Sequence, residues 1–428
     1  MSVPLRLGIA GLGTVSTGVV KIMQRHAAVM EARTGRAVQI SAVSARSKGR
    51  DRGVDLSGYA WEDDPVSLAT RDDVDVFVEL MGGEDGPAKA ATEAAIAAGK
   101  DVVTANKAML AVHGQTLAEA AEGQNACLRF EAAVAGAIPV IKVLTESLAG
   151  NEITRVMGVM NGTCNYILTR MQSAGLDYQT VFAEANELGY LEADPTLDVG
   201  GIDAGHKLAL LASIAYGTKV DFAAMEIEGI ENVTIEDIEQ AADMGYRIKL
   251  LGVAQMTGRG LETRMSPCLV PAASPLGQLE NAMNMVVLEG DSSGQIVLRG
   301  AGAGEGPTAS AVMSDVLDLA RGIRVSTFGK PAADLKEARA ARSSAPAPFY
   351  LRTELVDKPG ALAKIATVLA DAGISIDRMR QYGHTSTTAP VLIVTHKATR
   401  TALDEAIAAM DGTGVLASAP VAIRIEDV

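Results

Sequence analysis

The stretch 189–207, GYLEADPTLDVGGIDAGHK, crowds Glu192, Asp194, Asp198, Asp203 and Lys207 into a turn-rich loop and the helix it feeds. Asp203 and Lys207 stand four apart, a spacing that puts both on one helix face, where the carboxylate can orient the ammonium and keep it charged. The same spacing also makes ordinary surface ion pairs that contribute little. Two glycines and a proline beside it argue for a shaped loop. His206, next to Lys207, points about 100° away on a helix and reads as structural. A second lysine, Lys107, follows the strand-like run 101–104 (DVVT), where open parallel sheets bind ligands at strand C-termini. By itself it would be a surface charge; Asn106 and the apolar run before it add weight.

The segment GIAGLGTVSTGVV sets Gly11-Leu12-Gly13-Thr14-Val15-Ser16 between a strand pattern and a helix pattern. Gly11 would make the tight turn. Gly13 would let backbone amides approach a pyrophosphate, whose charge a helix N-terminus favours. Ser16 departs from the dinucleotide fingerprint, taking a slot usually held by Gly or Ala. A tight β-α turn without ligand is the competing reading. At the end of the second strand the sequence is Ser44-Ala45-Arg46-Ser47-Lys48, basic where an NAD enzyme would carry a carboxylate for the ribose. Arg46, with Lys48, suits a 2′-phosphate, since guanidinium chelates phosphate at two points. NADP is therefore preferred over NAD, and a solvated loop charge is the alternative. Hydride transfer to a carbonyl needs a proton donor for the developing alkoxide and fixed charges for the substrate. Lysines and carboxylates supply both.

These groups need a scaffold. The chain has 428 residues and a net charge of −14, which implies two or three domains and argues against nucleic acid or an anionic membrane as main partner. Cys127, Cys164 and Cys268 show no metal-ligand spacing and cannot form an even disulfide framework, so a reducing, cytoplasmic setting fits. No apolar run approaches a membrane span, and the N-terminus does not read as a signal peptide. Strand-like runs at 5–10, 38–43, 74–80, 101–104 and 127–132, mostly separated by helical patterns, predict an N-terminal Rossmann-type parallel sheet over 1–135. Residues 136–305 read as an α+β catalytic and dimerisation domain, with helical patterns at 139–148, 165–174 and 178–188 and strand candidates at 153–160 and within 247–300. The late glycines GAGAGEGP (300–307) precede a helix, about 306–325, expected to return to the first domain. Residues 338–348 have a linker composition. From 349 to 428 the pattern is β-α-β-β-α-β, the ferredoxin-like order.

Six segments together resemble homoserine dehydrogenase: GLGTVSTGVV, TANKAMLA, FEAAVAGAIPVI, NGTCNYILT, GYLEADPTLDVGGIDAGHK and GAGAGEGPTASAVMSD. The likeness covers residue 5 to about 325. It implies NAD(P)-linked interconversion of L-homoserine and L-aspartate 4-semialdehyde, in threonine, methionine and isoleucine synthesis. It implies that Glu192 and Asp203 bind the homoserine amino and hydroxyl end, that Lys207 donates or accepts the proton, and that Lys107 lies near nicotinamide and substrate. Gly11, Leu12, Gly13, Thr14, Val15, Thr104, Lys107 and Gly306 would line the cofactor, with Arg46 and Lys48 at its phosphate. FEAAVAGAI is similar to the family's monovalent-cation site, sodium for preference, with Glu131, Val134, Gly136 and Ile138 as ligands. One carboxylate with neutral carbonyls suits a hard singly charged ion better than zinc. Cys164 reads as packing, with Asn161 and Thr163 capping the helix it begins.

The C-terminal stretch, with DKPGALAKIATVLADAGISI (357–376), resembles an ACT domain. Asp357 and Gly360 would sit where its first strand meets its first helix, so that backbone amides hold the carboxylate of a small amino-acid effector, threonine for preference. A helix-start turn without ligand is the alternative. Such domains pair, which implies a homodimer or homotetramer. Two other readings compete. An ACT-bearing hydroxyacid dehydrogenase of another specificity would want a His–carboxylate pair and a fingerprint deep in the chain. A non-catalytic amino-acid sensor would not need Lys107, Glu192, Asp203 and Lys207 together.

Overall fold

The computed structural model describes residues 3–191, 194–341, 344–381 and 387–428. Its first part alternates β1 (Leu5–Ala10), α1 (Thr14–Thr34), β2 (Val38–Ser44), β3 (Ala60–Glu62), α2 (Pro65–Thr70), β4 (Val76–Glu79), α3 (Pro87–Ala97), β5 (Asp101–Thr104), α4 (Lys107–Gly123) and β6 (Leu128–Arg129). The six strands form one parallel sheet in the order β3-β2-β1-β4-β5-β6. That order reverses direction between β1 and β4, the position at which doubly wound sheets open a ligand crevice. Leu7, Ile9, Phe77, Val78, Val102 and Val103 are fully buried in these strands, as expected of strands covered on both faces.

The last strand is shorter than its apolar run predicts. Only Leu128–Arg129 pairs, because the chain then turns through a 3-10 segment, Glu131–Ala133. The Glu131 carboxylate accepts the amides of Ile141 and Lys142, both at 2.9 Å, and the Glu131 amide donates to Asp315 at 2.8 Å. Those bonds pull the backbone out of the sheet. The three-residue β3 escaped the sequence reading; it has too few residues to show a period.

The middle of the chain carries α5 (Val140–Lys142), β7 (Ile153–Val159), α6 (Gly162–Ala174), α7 (Tyr178–Glu187), α8 (Thr196–Val199), α9 (Ile202–Tyr216), β8 (Glu226–Ile227), α10 (Ile235–Asp243), β9 (Tyr246–Thr257), β10 (Gly260–Pro271), β11 (Met283–Gly290) and β12 (Gly294–Ala301). The helix expected over 139–148 changes to a π turn at Val143–Ser147. Strands β12-β11-β7-β9-β10 form an antiparallel sheet, to whose last strand β8 adds in parallel, and α9 covers one face with Leu208, Leu210 and Leu211 buried. Helix α11 (Glu305–Arg321) then returns to α1. The two helices touch closely enough that a Cβ on Gly18 would stand 2.6 Å from the Glu305 carbonyl oxygen, and Lys21 pairs with Glu305 at 2.7 Å.

The C-terminal unit runs β13 (Phe349–Val356), α12 (Ala361–Asp371), β14 (Ile376–Gln381), β15 (Thr388–Thr395), α13 (Arg400–Asp411) and β16 (Val421–Ile425). Its antiparallel sheet has the order β16-β13-β15-β14. It is continuous with the middle sheet, since β16 pairs in parallel with β10 at Cys268–Arg424 and Leu269–Ile425. The stretch with a linker composition is strapped to that sheet as well: Ala340 bridges Leu261, and the Ala341 amide donates to the Leu261 carbonyl at 2.8 Å.

Asp237 fastens the two units. It is fully buried in a capping box with Thr234, and it accepts the Tyr350 hydroxyl at 2.8 Å and the Arg352 Nε at 2.7 Å. Removing one member of a buried charged network costs about 3–5 kcal/mol. Asp237→Ala should therefore lower the stability of the full chain by about that much and expose the junction near residue 341 to protease. A loss under about 1 kcal/mol in denaturant titration, within the range of a surface contact, would show that the two units do not depend on this residue.

Candidate active site

Three of the side chains singled out by type and spacing meet at one point. Asp203 accepts Lys207 Nζ on one carboxylate oxygen at 2.6 Å and faces Lys107 Nζ with the other at 2.9 Å. Lys107 opens α4 at the crevice side of the first sheet, while Asp203 and Lys207 belong to α9 of the middle unit. The contact therefore spans two layers of the fold. An ammonium at a helix start faces the positive end of the helix dipole, and Asp203 offsets that for Lys107. Asp203 itself sits in the first turn of α9, where a carboxylate is favoured.

Burial separates the two lysines. The Lys107 side chain is 29% exposed and that of Lys207 is 10% exposed, so Lys107 stands on the solvent side of the pair. Lys207 also donates to the Met160 carbonyl at 2.9 Å. Burial would push the Asp203 carboxyl up, yet the two ammoniums hold it well below the usual carboxylate range. It is an anion throughout the working pH range. His206 is shifted the other way, down, mainly by burial and then by the Lys107 charge, and it stacks on Phe222 with ring centroids 4.3 Å apart.

Several further side chains support this centre. Asn161 was read only as a helix cap. Its Oδ1 does accept the Cys164 amide at 2.8 Å, but its Nδ2 donates to Asp198 at 3.0 Å and to Asp203 at 3.3 Å. Asn284, which the sequence reading passed over, donates to the same Met160 carbonyl that holds Lys207, at 3.1 Å. Its signal was weak because β11 was not recognised as a strand. Thr163 does not cap: its hydroxyl donates to the Tyr190 carbonyl at 2.9 Å. Cys164 is buried, and burial with the nearby Asp198 and Asp203 pushes its thiol well up, away from reactivity. Glu192 lies outside the described residues.

The nucleotide turn fits a dinucleotide. Gly11 has φ of +87°, and a Cβ there would stand 2.5 Å from the Leu80 carbonyl oxygen, so only glycine fits. Gly13 faces open space, with no atom within 4 Å of where a Cβ would be. It caps α1 without any side-chain hydrogen bond, which leaves the first amides of Thr14, Val15 and Ser16 to a ligand. Leu12 is buried beneath the turn. Ser16 is accommodated: its hydroxyl donates to the Gly13 carbonyl at 3.0 Å. Arg46 and Lys48 are exposed beyond β2. Arg52, absent from the sequence reading, pins their loop to the glycine turn through the Leu12 carbonyl at 3.1 Å. Gly306 lies exposed in the first turn of α11. Thr104 ends β5 with its side chain turned inward. Its buried hydroxyl donates to Glu79 at 2.6 Å and accepts the Asn106 amide at 3.0 Å, so its side chain shapes the strand end and only its backbone can face a cofactor.

Two further expectations meet competition. Of the cation ligands Glu131, Val134, Gly136 and Ile138, both Glu131 carboxylate oxygens accept amides and the Ile138 carbonyl accepts the Val140 amide at 2.8 Å. Gly136 adopts φ of +54° and packs against Gly302. Burial, with Asp315 nearby, pushes the Glu131 carboxyl up to about 7. At the Asp357–Gly360 turn, the amides of Asp357, Lys358 and Ala361 already bond within the chain, which leaves fewer donors for an effector carboxylate than the turn's sequence suggests.

Comparison with known proteins converges on one family. The sequence model described as "Homoserine dehydrogenase" matches residues 139–317, the one described as "Homoserine dehydrogenase, NAD binding domain" matches 11–131, and an ACT domain matches 349–412. A homoserine dehydrogenase of Neisseria gonorrhoeae is 41% identical over 431 residues, covering 99% of each chain. One of Pseudomonas aeruginosa is 39% identical over 432 residues, again with 99% of each chain covered. Among solved structures, a homoserine dehydrogenase from Thiobacillus denitrificans superposes with a TM-score of 0.94 at 37% identity, over 99% of this chain and 98% of that one. A hyperthermophilic archaeal homoserine dehydrogenase in complex with NADPH superposes with a TM-score of 0.63 at 26% identity, over 74% of this chain and 97% of that one. The likeness to homoserine dehydrogenases thus runs along the whole length, with an ACT domain at the end, and the chain belongs to the homoserine dehydrogenase family, NAD(P)-dependent oxidoreductases acting on a CH–OH group.

Proposed function

We propose that Lys207 moves the proton, Asp203 and Glu192 hold the amino and hydroxyl end of L-homoserine, and Lys107 positions substrate against the nicotinamide. The observation that carries this reading is the single Asp203 carboxylate bridging two lysines across the crevice. The bound nicotinamide supplies the hydride acceptor or donor. Reduction of the semialdehyde leaves an alkoxide, and a lysine ammonium beside it gives the proton; oxidation of the alcohol runs through the neutral amine. Lys207 is suited to this because two fixed acceptors, Asp203 and the Met160 carbonyl, aim its Nζ. Lys207→Ala should lower kcat about 10²–10⁴-fold while leaving cofactor affinity nearly unchanged. Equal losses in both, measured with L-homoserine and NADP by reduced-nicotinamide absorbance and by cofactor titration, would remove the proton role.

For the cofactor, NADP is preferred over NAD. Arg46 and Lys48 stand at the end of β2 with no carboxylate between them, and Arg52 anchors their loop. Arg46→Ala should raise KM for NADP about tenfold, the weight of one charge-assisted hydrogen bond, and leave KM for NAD unchanged. A parallel change for both cofactors would place Arg46 away from the 2′-phosphate.

A monovalent cation, sodium for preference, is the further ligand proposed at Glu131, Val134, Gly136 and Ile138. Glu131 supports it, since a buried carboxyl pushed up to about 7 gains from a neighbouring cation. A folded pKa raised above the unfolded one gives stability that is full below about pH 4.5 and lost as pH rises through about 7. Sodium should restore that loss, raising the melting temperature at pH 8 in the natural chain but not in Glu131→Gln. An equal salt effect in both would exclude the site.

Regulation by threonine through the Asp357–Gly360 turn, assembly into a homodimer or homotetramer, and a cytoplasmic location complete the proposal. Exposed Val297 on the edge strand β12 and exposed Met379 on the edge strand β14 favour pairing with a second copy. Three buried free cysteines favour a reducing compartment, and among the described residues no helix is long and apolar enough to cross a membrane.

A further inference from the structure

Glu79 ends β4 at the switch point of the parallel sheet, with β1 on one side and β5 on the other, and it is fully buried. Three donors hold its carboxylate. Oε1 accepts the amides of Met81 at 2.7 Å and Gly82 at 3.1 Å, and Oε2 accepts the Thr104 hydroxyl at 2.6 Å. The Thr104 oxygen in turn accepts the Asn106 amide at 3.0 Å, and Asn106 Nδ2 donates to the Gly83 carbonyl at 2.6 Å. These bonds close a ring that runs from Glu79 through Thr104 and Asn106 to Gly83 and back along the chain through Gly82. Asn106 is also the cap of α4, its Oδ1 accepting the Met109 amide at 3.1 Å, and the next residue is Lys107. On its other side the ring abuts the nucleotide turn, where a Cβ on Gly11 would stand 2.8 Å from the Met81 nitrogen.

The groups bonded to both Glu79 oxygens are donors, so both oxygens must accept, and a carboxylate offers two acceptors in that shape. Glutamine would turn an NH₂ onto either the turn amides or the Thr104 hydroxyl. A buried carboxylate is costly unless fully hydrogen-bonded, and a core that only had to close would be served as well by an apolar side chain. We propose that Glu79 is a positioning residue for Lys107: through Thr104 and Asn106 it fixes the first turn of α4, which keeps Lys107 Nζ on Asp203 at 2.9 Å. This role rests on the placing of Lys107 beside substrate and nicotinamide proposed above. Being fully buried, Glu79 acts only through these neighbours. A reacting or orienting group misplaced by about 1 Å costs about 10²-fold in rate, so a carboxylate behind the strand end bears on turnover without touching the substrate.

The test uses the full chain, with turnover followed on L-homoserine and NADP and cofactor affinity measured by titration. Thr104→Val, which keeps the shape and removes the hydroxyl, and Glu79→Gln should each lower kcat about tenfold or more, while the dissociation constant for NADP moves less than about threefold. Thr104→Ser, which restores the hydroxyl, should keep the natural kcat. Lys107→Ala should by itself lower kcat/KM, and adding Thr104→Val to it should cost less than about twofold more, because the group being aimed is gone. An equal cost of Thr104→Val with and without Lys107 would overturn the positioning role and leave Lys107 its own. So would Thr104→Ser behaving like Thr104→Val, or Thr104→Val turning over at the natural rate. Natural turnover in Lys107→Ala would instead remove the assignment of Lys107, and the positioning role with it. Melting curves show whether Glu79→Gln folds; if it does not, the two Thr104 variants decide alone.

Discussion

One carboxylate held between two ammoniums is the constraint around which the fold is arranged. Asp203 is nearly buried, and a buried charge is tolerated only with partners in good geometry. Lys207 supplies one partner from the same helix at no topological cost. Lys107 must come from the other sheet, and so the return of α11 onto α1, which brings the two units together, is part of the site. Two glycines at close approaches carry the same burden. Gly18 admits Glu305 against α1, and Gly302 leaves no room for a Cβ beside Asn284, which steadies the carbonyl that holds Lys207.

What the sequence disclosed follows from the range of each interaction. The Asp203–Lys207 spacing, the glycine turn after a short apolar strand and the ferredoxin-like order of the last eighty or so residues are local patterns, and local patterns read directly. Lys107 was legible as a lysine at a strand end, but not as the partner of Asp203, since 96 positions separate them and nothing in either segment names the other. Asn284 was missed for a different reason. It lies in MNMVVLEG, whose continuous apolar run shows no alternation because both faces of β11 are covered. A hydroxyl at a strand end suits either a ligand or a neighbouring carboxylate, and at Thr104 the buried Glu79 accepts it.

The stretch 338–348 shows the limit of composition. Small residues with alanines, serines and two prolines describe a chain that lacks its own core, which a free linker and a strap along a sheet edge have in common. Leu261 decides the matter here by pairing with Ala340 and Ala341. Beside that strap β16 pairs with β10, and two units that read as separate along the chain share one sheet.

That shared sheet also bears on how the two ends of the molecule communicate. Arg264 lines a cavity between the C-terminal unit and the middle sheet, while its neighbour Met265 packs under Gly201 at the start of α9, where a Cβ would stand 3.3 Å from the methionine side chain. The cavity wall at Glu228 donates its amide to the Met265 carbonyl at 2.8 Å, and Ile230 donates to Val199 at 2.9 Å in the turn that precedes Asp203. Packed contacts thus run without a break from the charged cavity to the helix that carries the catalytic aspartate. Contiguity gives a route and no more. Coupling requires that a ligand bind two arrangements of this turn unequally, and the same free energy must then appear in both directions.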